Sequence, residues 1–582
     1  MADRQPNFAL LLVLAWVVAM LQLVTQHWGE TAQTLLDTDD AMRLVQMRDW
    51  LAGQGWYDLH QARLEPPIGY DSHWSRLIDA GLAALLWFFD RFTDPAMAER
   101  LMRTVWPMLW LLPAIGGAAA IAWRIAGRDA ALIALLFAAL GFQAFFQFRP
   151  GRIDHHNVQI ALSMLLVAAT VWADRVQWAA AAAGGITALA LAVGLECLPY
   201  LAICGIAFAL RFVFDAGAAH AARDYGLALA GGSVLAFFAI VGPSHWTQGY
   251  CDAIGLNWAA LTVVAGLGLA LASHKPAESW SGRLISMVVV GAAAVALFAV
   301  IEPRCLRGPY AQMDGALHAI WLDHVREMQP LFREMVKSPL TAIGIATFPA
   351  VAIVGIVLLL RDASVRRDPA FIVAVAAFAA AALTTIAAIK GYSYATWLAI
   401  PLVAVFALRL FAWWRIENLL PRVAVGVLLT PALVSIGAVT IADAASVGHA
   451  EQIASEREGC HATANYAALA KLPSGLVAGN IDLGPYLLAL TSHSVLAAPY
   501  HRSHGGIAAA HAALSSPPEA ARGILSERKV TYVIVCGERG PFGVKDPQLS
   551  ASLWTKLRAG QAPDWLEPVA LAGSPFAVYR VR

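Results

Sequence analysis

From Asn7 onward the chain is a succession of apolar runs separated by short segments that carry nearly all of its charge. A bilayer core takes about 20 mostly apolar residues per helix, with roughly 17 to 25 tolerated. Asn7 to Thr25 is the first run of this kind. Others lie near 104–123, 129–148, 157–173, 177–194, 196–214, 224–242, 255–273, 284–301, 341–360, 369–389, 395–412 and 422–442. Together they predict thirteen spans. No small-residue cleavage site follows the first run, so it is expected to be retained as a span. Ile78 to Phe89 is apolar but short, which predicts an interfacial helix in the first loop.

Basic residues orient this arrangement. With the N-terminus inside, the inner loops hold Arg124 and Arg128, Arg175, Arg223, Lys275 and Arg283, Arg361, Arg366 and Arg367, then Arg415 and Arg422. Three large pieces then lie outside: 26–100, 302–340 and the tail from 443 to 582. In the tail charge returns, and strand-like runs occur at Leu476–Ala478, Ser494–Ala497 and Val530–Cys536. Bounded by Gly, Pro, Asn or Ser, they predict a soluble α/β domain after a membrane domain of residues 1–442.

Composition agrees. Of the 582 residues, 59% are hydrophobic and 14% are charged, against about 25% charged in a soluble domain. Lys plus Arg number 41 and Asp plus Glu 40, without a basic stripe, so a nucleic-acid partner is excluded. The six cysteines show no C-x-x-C spacing, which argues against a zinc module. Cys251, Cys305, Cys460 and Cys536 fall outside, where an oxidising periplasm would let them pair in a connectivity that spacing does not fix. Short inner loops suit a bacterial inner membrane.

The scarce ionisable residues form three clusters on the outer side. Asp37, Asp39 and Asp40 follow the first span, within Leu36-Asp37-Thr38-Asp39-Asp40-Ala41. Such a cluster either holds a hard divalent cation or supplies the acidic first turn of a helix Asp40–Ala52. The second cluster is Phe148-Arg149-Pro150-Gly151-Arg152-Ile153-Asp154-His155-His156-Asn157, at a membrane-helix end where ionisable groups are costly and point to function. Asp154 suits a metal shell; Arg149 and Arg152 suit phosphate or lipid headgroups. In the third, Trp321-Leu322-Asp323-His324-Val325-Arg326-Glu327-Met328-Gln329-Pro330, Asp323 and Glu327 would share one helix face.

Taken together, these motifs resemble the catalytic subunit of oligosaccharyltransferase, a GT-C membrane glycosyltransferase. Arg149, Gly151 and Asp154 loosely follow that family's second motif, with His156 at its second acidic position. Val325-Arg326-Glu327-Met328-Gln329-Pro330 looks like its short third motif. The resemblance implies a fold of about 13 transmembrane helices with a soluble C-terminal domain. It also implies Mg²⁺ or Mn²⁺ held by a first-motif carboxylate, Asp154 and Glu327, with Asp39 preferred, Asp37 and Asp40 as alternatives, and His156 beside them. Asp39 or Asp40 would act as general base. Lys390 stands where the family keeps a basic phosphate contact, or is a lysine snorkelling to the interface.

The family's C-terminal W-W-D-Y-G signature is absent, so the resemblance does not specify an asparagine acceptor. The tail offers Pro499-Tyr500-His501-Arg502-Ser503-His504-Gly505-Gly506, whose His501, Arg502 and His504 either face the acceptor or belong to a surface turn. The implied activity moves a sugar or oligosaccharide from a polyprenyl-(di)phosphate carrier to a glycan, lipid or protein acceptor. A transporter or flippase of such lipids is the alternative. Its ionisable residues would gather at mid-membrane, where Glu196 is the chief candidate.

Overall fold

The computed structural model describes residues 7–445, 459–537, 547–571 and 573–582. Eight of its helices are long and apolar enough to cross a membrane, from Phe8–His27 to the helix ending at Trp413. A further candidate is Leu419–Leu428 followed by Pro431–Asp443, bent by 58°. His156–Trp172, Ala179–Val193 and Leu198–Phe214 are apolar but shorter. Pro95–Ala139 covers two of the expected segments, because Ala126 and Gly127 leave helical geometry and Gly127 has φ +81°, a conformation open to glycine. The chain folds back there. Arg100 stacks on Trp28 and Gln22 donates to the Ala139 carbonyl, while Trp123 packs on Phe8 at the other end of the first helix.

Small residues set the closest helix approaches. Helices Ala219–Ile240 and Leu256–His274 meet where Gly226 and Gly266 face one another, and a Cβ on either would collide with the other's carbonyl oxygen. Such contacts let dispersion and close backbone approach hold helices together in lipid, where hydrophobic exclusion from water is absent. Gly226→Val is therefore expected to force this pair apart and lower the thermal midpoint of the detergent-solubilised protein, whereas Gly231→Val, whose Cβ meets open space, should leave it nearly unchanged. The helix Tyr392–Trp413 occupies the middle of the bundle, with Trp397 fully buried and its Nε1 donating to the Ala144 carbonyl.

Two lobes cover one face of the bundle. The first, residues 28–94, contains the helix Thr38–Leu51, the short pair β1 (His60–Gln61) and β2 (Tyr70–Asp71), and the expected short helix at Arg76–Phe89. Its interior is an ion network: Asp79, fully buried, accepts from Arg43, Arg76 and Gln46. The second contains β3 (Leu476–Gly479), β4 (Ser494–Val495), β5 (Tyr532–Val535), β6 (Leu566–Val569) and β7 (Ala577–Val581) in the order β4-β3-β5-β7-β6. Strands β4, β3 and β5 are parallel; β7 and β6 add antiparallel. The parallel strands match the apolar runs of the sequence. β6 escaped prediction because Glu567 and Pro568 suit an edge strand rather than a buried one. The boundary expected near residue 443 adjoins 446–458, outside the described residues.

The lobes interlock. Arg63 donates to the carbonyls of Leu488 and Thr491, Arg48 to that of Ala489, and Glu65 N–H to that of Val495. Disulfides join Cys251 to Cys305 and Cys460 to Cys536, which supplies the connectivity that spacing left open.

Candidate active site

The site begins at the N-terminus of Thr38–Leu51. Asp37 caps this helix, and Asp39 and Asp40 fill its first turn, where the helix dipole favours carboxylates. Asp40 is buried, and both of its oxygens are committed. Oδ1 accepts the N–H groups of Ile153 (2.7 Å) and Asp154 (3.1 Å), and Oδ2 accepts from Arg152 (3.0 Å). The first motif thus docks the second. Arg152, 4% exposed, is the hub: it also donates to Asp37 (2.8 Å), to Gln147 (2.8 Å) and to Asp154.

Charge balance within this cluster is uneven. Burial opposes ionisation of Asp154, yet Arg152, His156 and His155 hold its carboxyl far below the usual range. Burial pushes Asp40 up to about 7 against the pull of Arg152. Asp39 is raised well above the normal carboxylate value by burial and by Asp37, Glu327 and Asp154. Among the described residues, nothing donates a hydrogen bond to the Asp39 carboxylate. His156 Nδ1 lies 3.0 Å from Asp154 Oδ2 without hydrogen-bond geometry and has no other partner. Among the described residues, His155, His156 and Glu196 each offer one metal-type donor atom within 4.8 Å of one another, and Asp154 lies beside His156.

The far side is built from elements distant in sequence. Glu196 lies in the break between Ala179–Val193 and Leu198–Phe214. Its carboxylate reaches His156 Nε2 (3.1 Å) and Lys390 Nζ (2.5 Å). Lys390 is also 3.8 Å from Glu327, whose side chain is 52% exposed. Asp37, at 41%, and Glu327 therefore open onto solvent while Arg152 and Asp154 form the buried floor. Tyr310 meets the His501 ring edge-on at 5.3 Å, and burial raises its phenol above the ordinary value.

The C-terminal lobe closes one end. Tyr500 donates to the carbonyl of Thr38 (2.9 Å), beside Asp39, and packs against Tyr70 and Trp74. His501 and Arg502 both bind Asp252, at 2.6 Å and at 2.7 Å to each oxygen.

Asp37, Asp39, Asp154, His156, Glu327 and Lys390 thus share one recess. Asp40 holds Ile153 and Asp154 in place, with both oxygens engaged there. Arg152 spends its guanidinium on three carboxylates and Gln147 inside the floor, so it is not free for phosphate. Arg149 is near the recess but paired with Glu30 (2.6 Å), a residue the sequence did not single out. His504 starts the helix His504–Ser515 and stays outside the His501–Asp252 contact. Asp323 and Glu327 share no helix face: they lie in separate 3-10 turns, 322–324 and 326–328, parted by extended Val325. Glu196 was visible in the sequence only as an isolated intramembrane carboxylate. His73 and Asp252 gave no signal.

The fold is similar to that of solved oligosaccharyltransferase structures. Among solved structures, the oligosaccharyltransferase AglB of Archaeoglobus fulgidus, in complex with an inhibitory peptide and a dolichol-phosphate, superimposes with a TM-score of 0.64. It is 14% identical, over 90% of this chain and 69% of that one. The apo form of an A. fulgidus oligosaccharyltransferase gives a TM-score of 0.65 at 15% identity, over 92% and 70%. A complex of that enzyme with Zn and sulfate gives 0.58 at 15% identity, over 90% and 67%. No protein-family model and no curated protein matches the chain.

Proposed function

We propose that the recess is the active site of a glycosyltransferase. It would move a sugar or oligosaccharide from a polyprenyl-(di)phosphate carrier to a glycan, lipid or protein acceptor. The observation that carries this reading is the convergence of Asp39, Asp154, His156, Glu327 and Lys390 at one face of a GT-C bundle. Glu196 and Lys390 stand at the ends of apolar helices, where a membrane-borne donor can reach them.

Asp39, Asp154 and His156 would hold the cation, with Asp37 and Glu327 at its margin. A mixed oxygen and imidazole set favours Mn²⁺ or Zn²⁺ over Mg²⁺. When bound, the cation stabilises charge on the departing phosphate. Lys390 adds a second positive charge there, and Glu196 keeps its ammonium in place. Arg152 fixes the carboxylates without entering the reaction. Asp39, whose carboxylate receives no hydrogen bond among the described residues, is the candidate base for the acceptor.

The face bearing the recess is assigned to the periplasmic side of a bacterial inner membrane, with the N-terminus in the cytoplasm. Both disulfides sit on that face, as an oxidising compartment allows. Arg124, Arg175 and Arg223 lie at the opposite ends of the helices, as the positive-inside rule requires. Residues 459–582 then form a periplasmic domain.

The test is transfer from a labelled polyprenyl-diphosphate sugar by the purified protein. Exhaustive chelation is expected to reduce release of the lipid phosphate by at least about a hundredfold, and added Mn²⁺ to restore it. Full activity in chelator would reject the metal; absence of any donor cleavage with metal and a panel of acceptors would reject the transferase.

A further inference from the structure

A cluster of metal-type donors stands apart from the residues proposed above to hold a cation. His73, Asp252 and His501 each offer one donor atom, all within 4.8 Å of one another. They come from three remote segments: the first lobe, the connection 241–255 between two membrane helices, and the loop before the helix His504–Ser515. The Asp252 and His501 side chains are only 8% and 12% exposed.

Several surrounding groups suit such donors. The Tyr70 hydroxyl lies 3.4 Å from His73 Nδ1. Arg502 grips both oxygens of Asp252 through Nε and Nη2, at 2.7 Å each. This contact uses one lone pair per oxygen and fixes the carboxylate's direction, as outer partners of ligating carboxylates do. The Cys251–Cys305 disulfide anchors the residue next to Asp252.

We propose that His73, Asp252 and His501 form a second divalent-metal site, of the zinc class, which clamps the three segments together at the rim of the recess. Two imidazoles and one carboxylate are a common zinc ligand set, with one tetrahedral position open to water or to a ligand. Magnesium, which prefers oxygen donors and keeps its waters, is poorly matched. The clamp ties the C-terminal loop to both other segments beside Tyr310, whose ring meets His501 at 5.3 Å. Without metal, the same residues make a simple ion-pair latch of Asp252 with His501 and Arg502.

The full-length protein in detergent is stripped of metal, dialysed against micromolar Zn²⁺ with millimolar Mg²⁺, and its bound zinc counted by elemental mass spectrometry. The His73→Gln/His501→Gln double variant is expected to hold one equivalent of zinc fewer than wild type. In Asp154→Asn the equivalent lost with the histidine pair should persist, with the Co²⁺-substituted protein showing a tetrahedral absorption band. Arg502→Gln, which keeps all three donors, should weaken that equivalent by about 10- to 100-fold. A histidine-pair variant with the wild-type zinc count overturns the site, as does loss of all zinc in Asp154→Asn. The inference does not depend on glycosyl transfer: an inactive protein that still loses one zinc with the histidine pair supports the clamp while counting against the proposed function.

Discussion

Asp154→Asn is expected to abolish transfer while leaving the protein folded and inserted. The substitution is nearly isosteric, and its amide oxygen can still accept the His156 N–H that Asp154 Oδ1 accepts now (3.0 Å). Arg152 keeps Asp37 and Asp40 as partners, so no buried cation is stranded. What disappears is the negative charge of a carboxylate held far toward ionisation beside the His156 imidazole. Removing one electrostatic element from a preorganised site costs about 10² to 10³ in turnover, and a lost cation costs more. Asp39→Asn should behave alike, while Glu327→Gln, exposed at the margin, should act more weakly. The measurement is single-turnover release of lipid phosphate beside a melting curve. Activity within about threefold of wild type in both aspartate variants would remove the basis of the proposed site.

The largest stability effect is expected at Arg152→Met. Methionine fills the volume but leaves Asp37, Asp40 and Asp154 without the guanidinium that four acceptors share. Breaking a buried ion pair from one side costs about 3–5 kcal/mol. For Asp154 the dependence on pH should also reverse in sign, measured in chelator. In the wild type the Asp37 and Asp154 carboxyls are lowered on folding, so their contribution is present above an aspartate's ordinary value of 3.8 and is lost as pH falls through their folded values. In the variant, burial without the arginine raises Asp154 and pushes Asp40 above the value of about 7 it has now. Its penalty should therefore be full near neutral pH and shrink as pH falls and the carboxyls protonate. Arg152→Lys should recover only part, since an ammonium cannot reproduce the planar fork. An unchanged melting midpoint for Arg152→Met would show that the cluster is not the structural floor.

These expectations rest on contacts that the sequence showed only in part. The clusters at Asp37–Asp40, 149–156 and 323–327 were conspicuous because ionisable residues are rare in so apolar a chain. Their convergence followed from counting spans, which places all three beyond helix ends on one face. What each residue does there was not legible. Asp40 and Arg152 looked like reactive groups, and tertiary packing turned both inward. Asp323 and Glu327 have helical spacing, but Pro330 favours extended backbone before it, and Gln329 has ψ 143°. Asp252 and His73 could not be singled out, because an isolated polar residue in a loop gains meaning only from what crosses it.

By itself, then, the sequence determined the membrane architecture, the side on which charge collects and the parallel strands of the C-terminal lobe. Those follow from local hydrophobicity and its period, properties of neighbours along the chain. Only the tertiary structure decided the cysteine pairing, the Glu196–Lys390 wall, the turning inward of Asp40 and Arg152, and the meeting of His73, Asp252 and His501. Each depends on groups distant in the chain being buried together, where desolvation makes a charge's partner matter more than its identity. Sequence spacing carries no record of that distance.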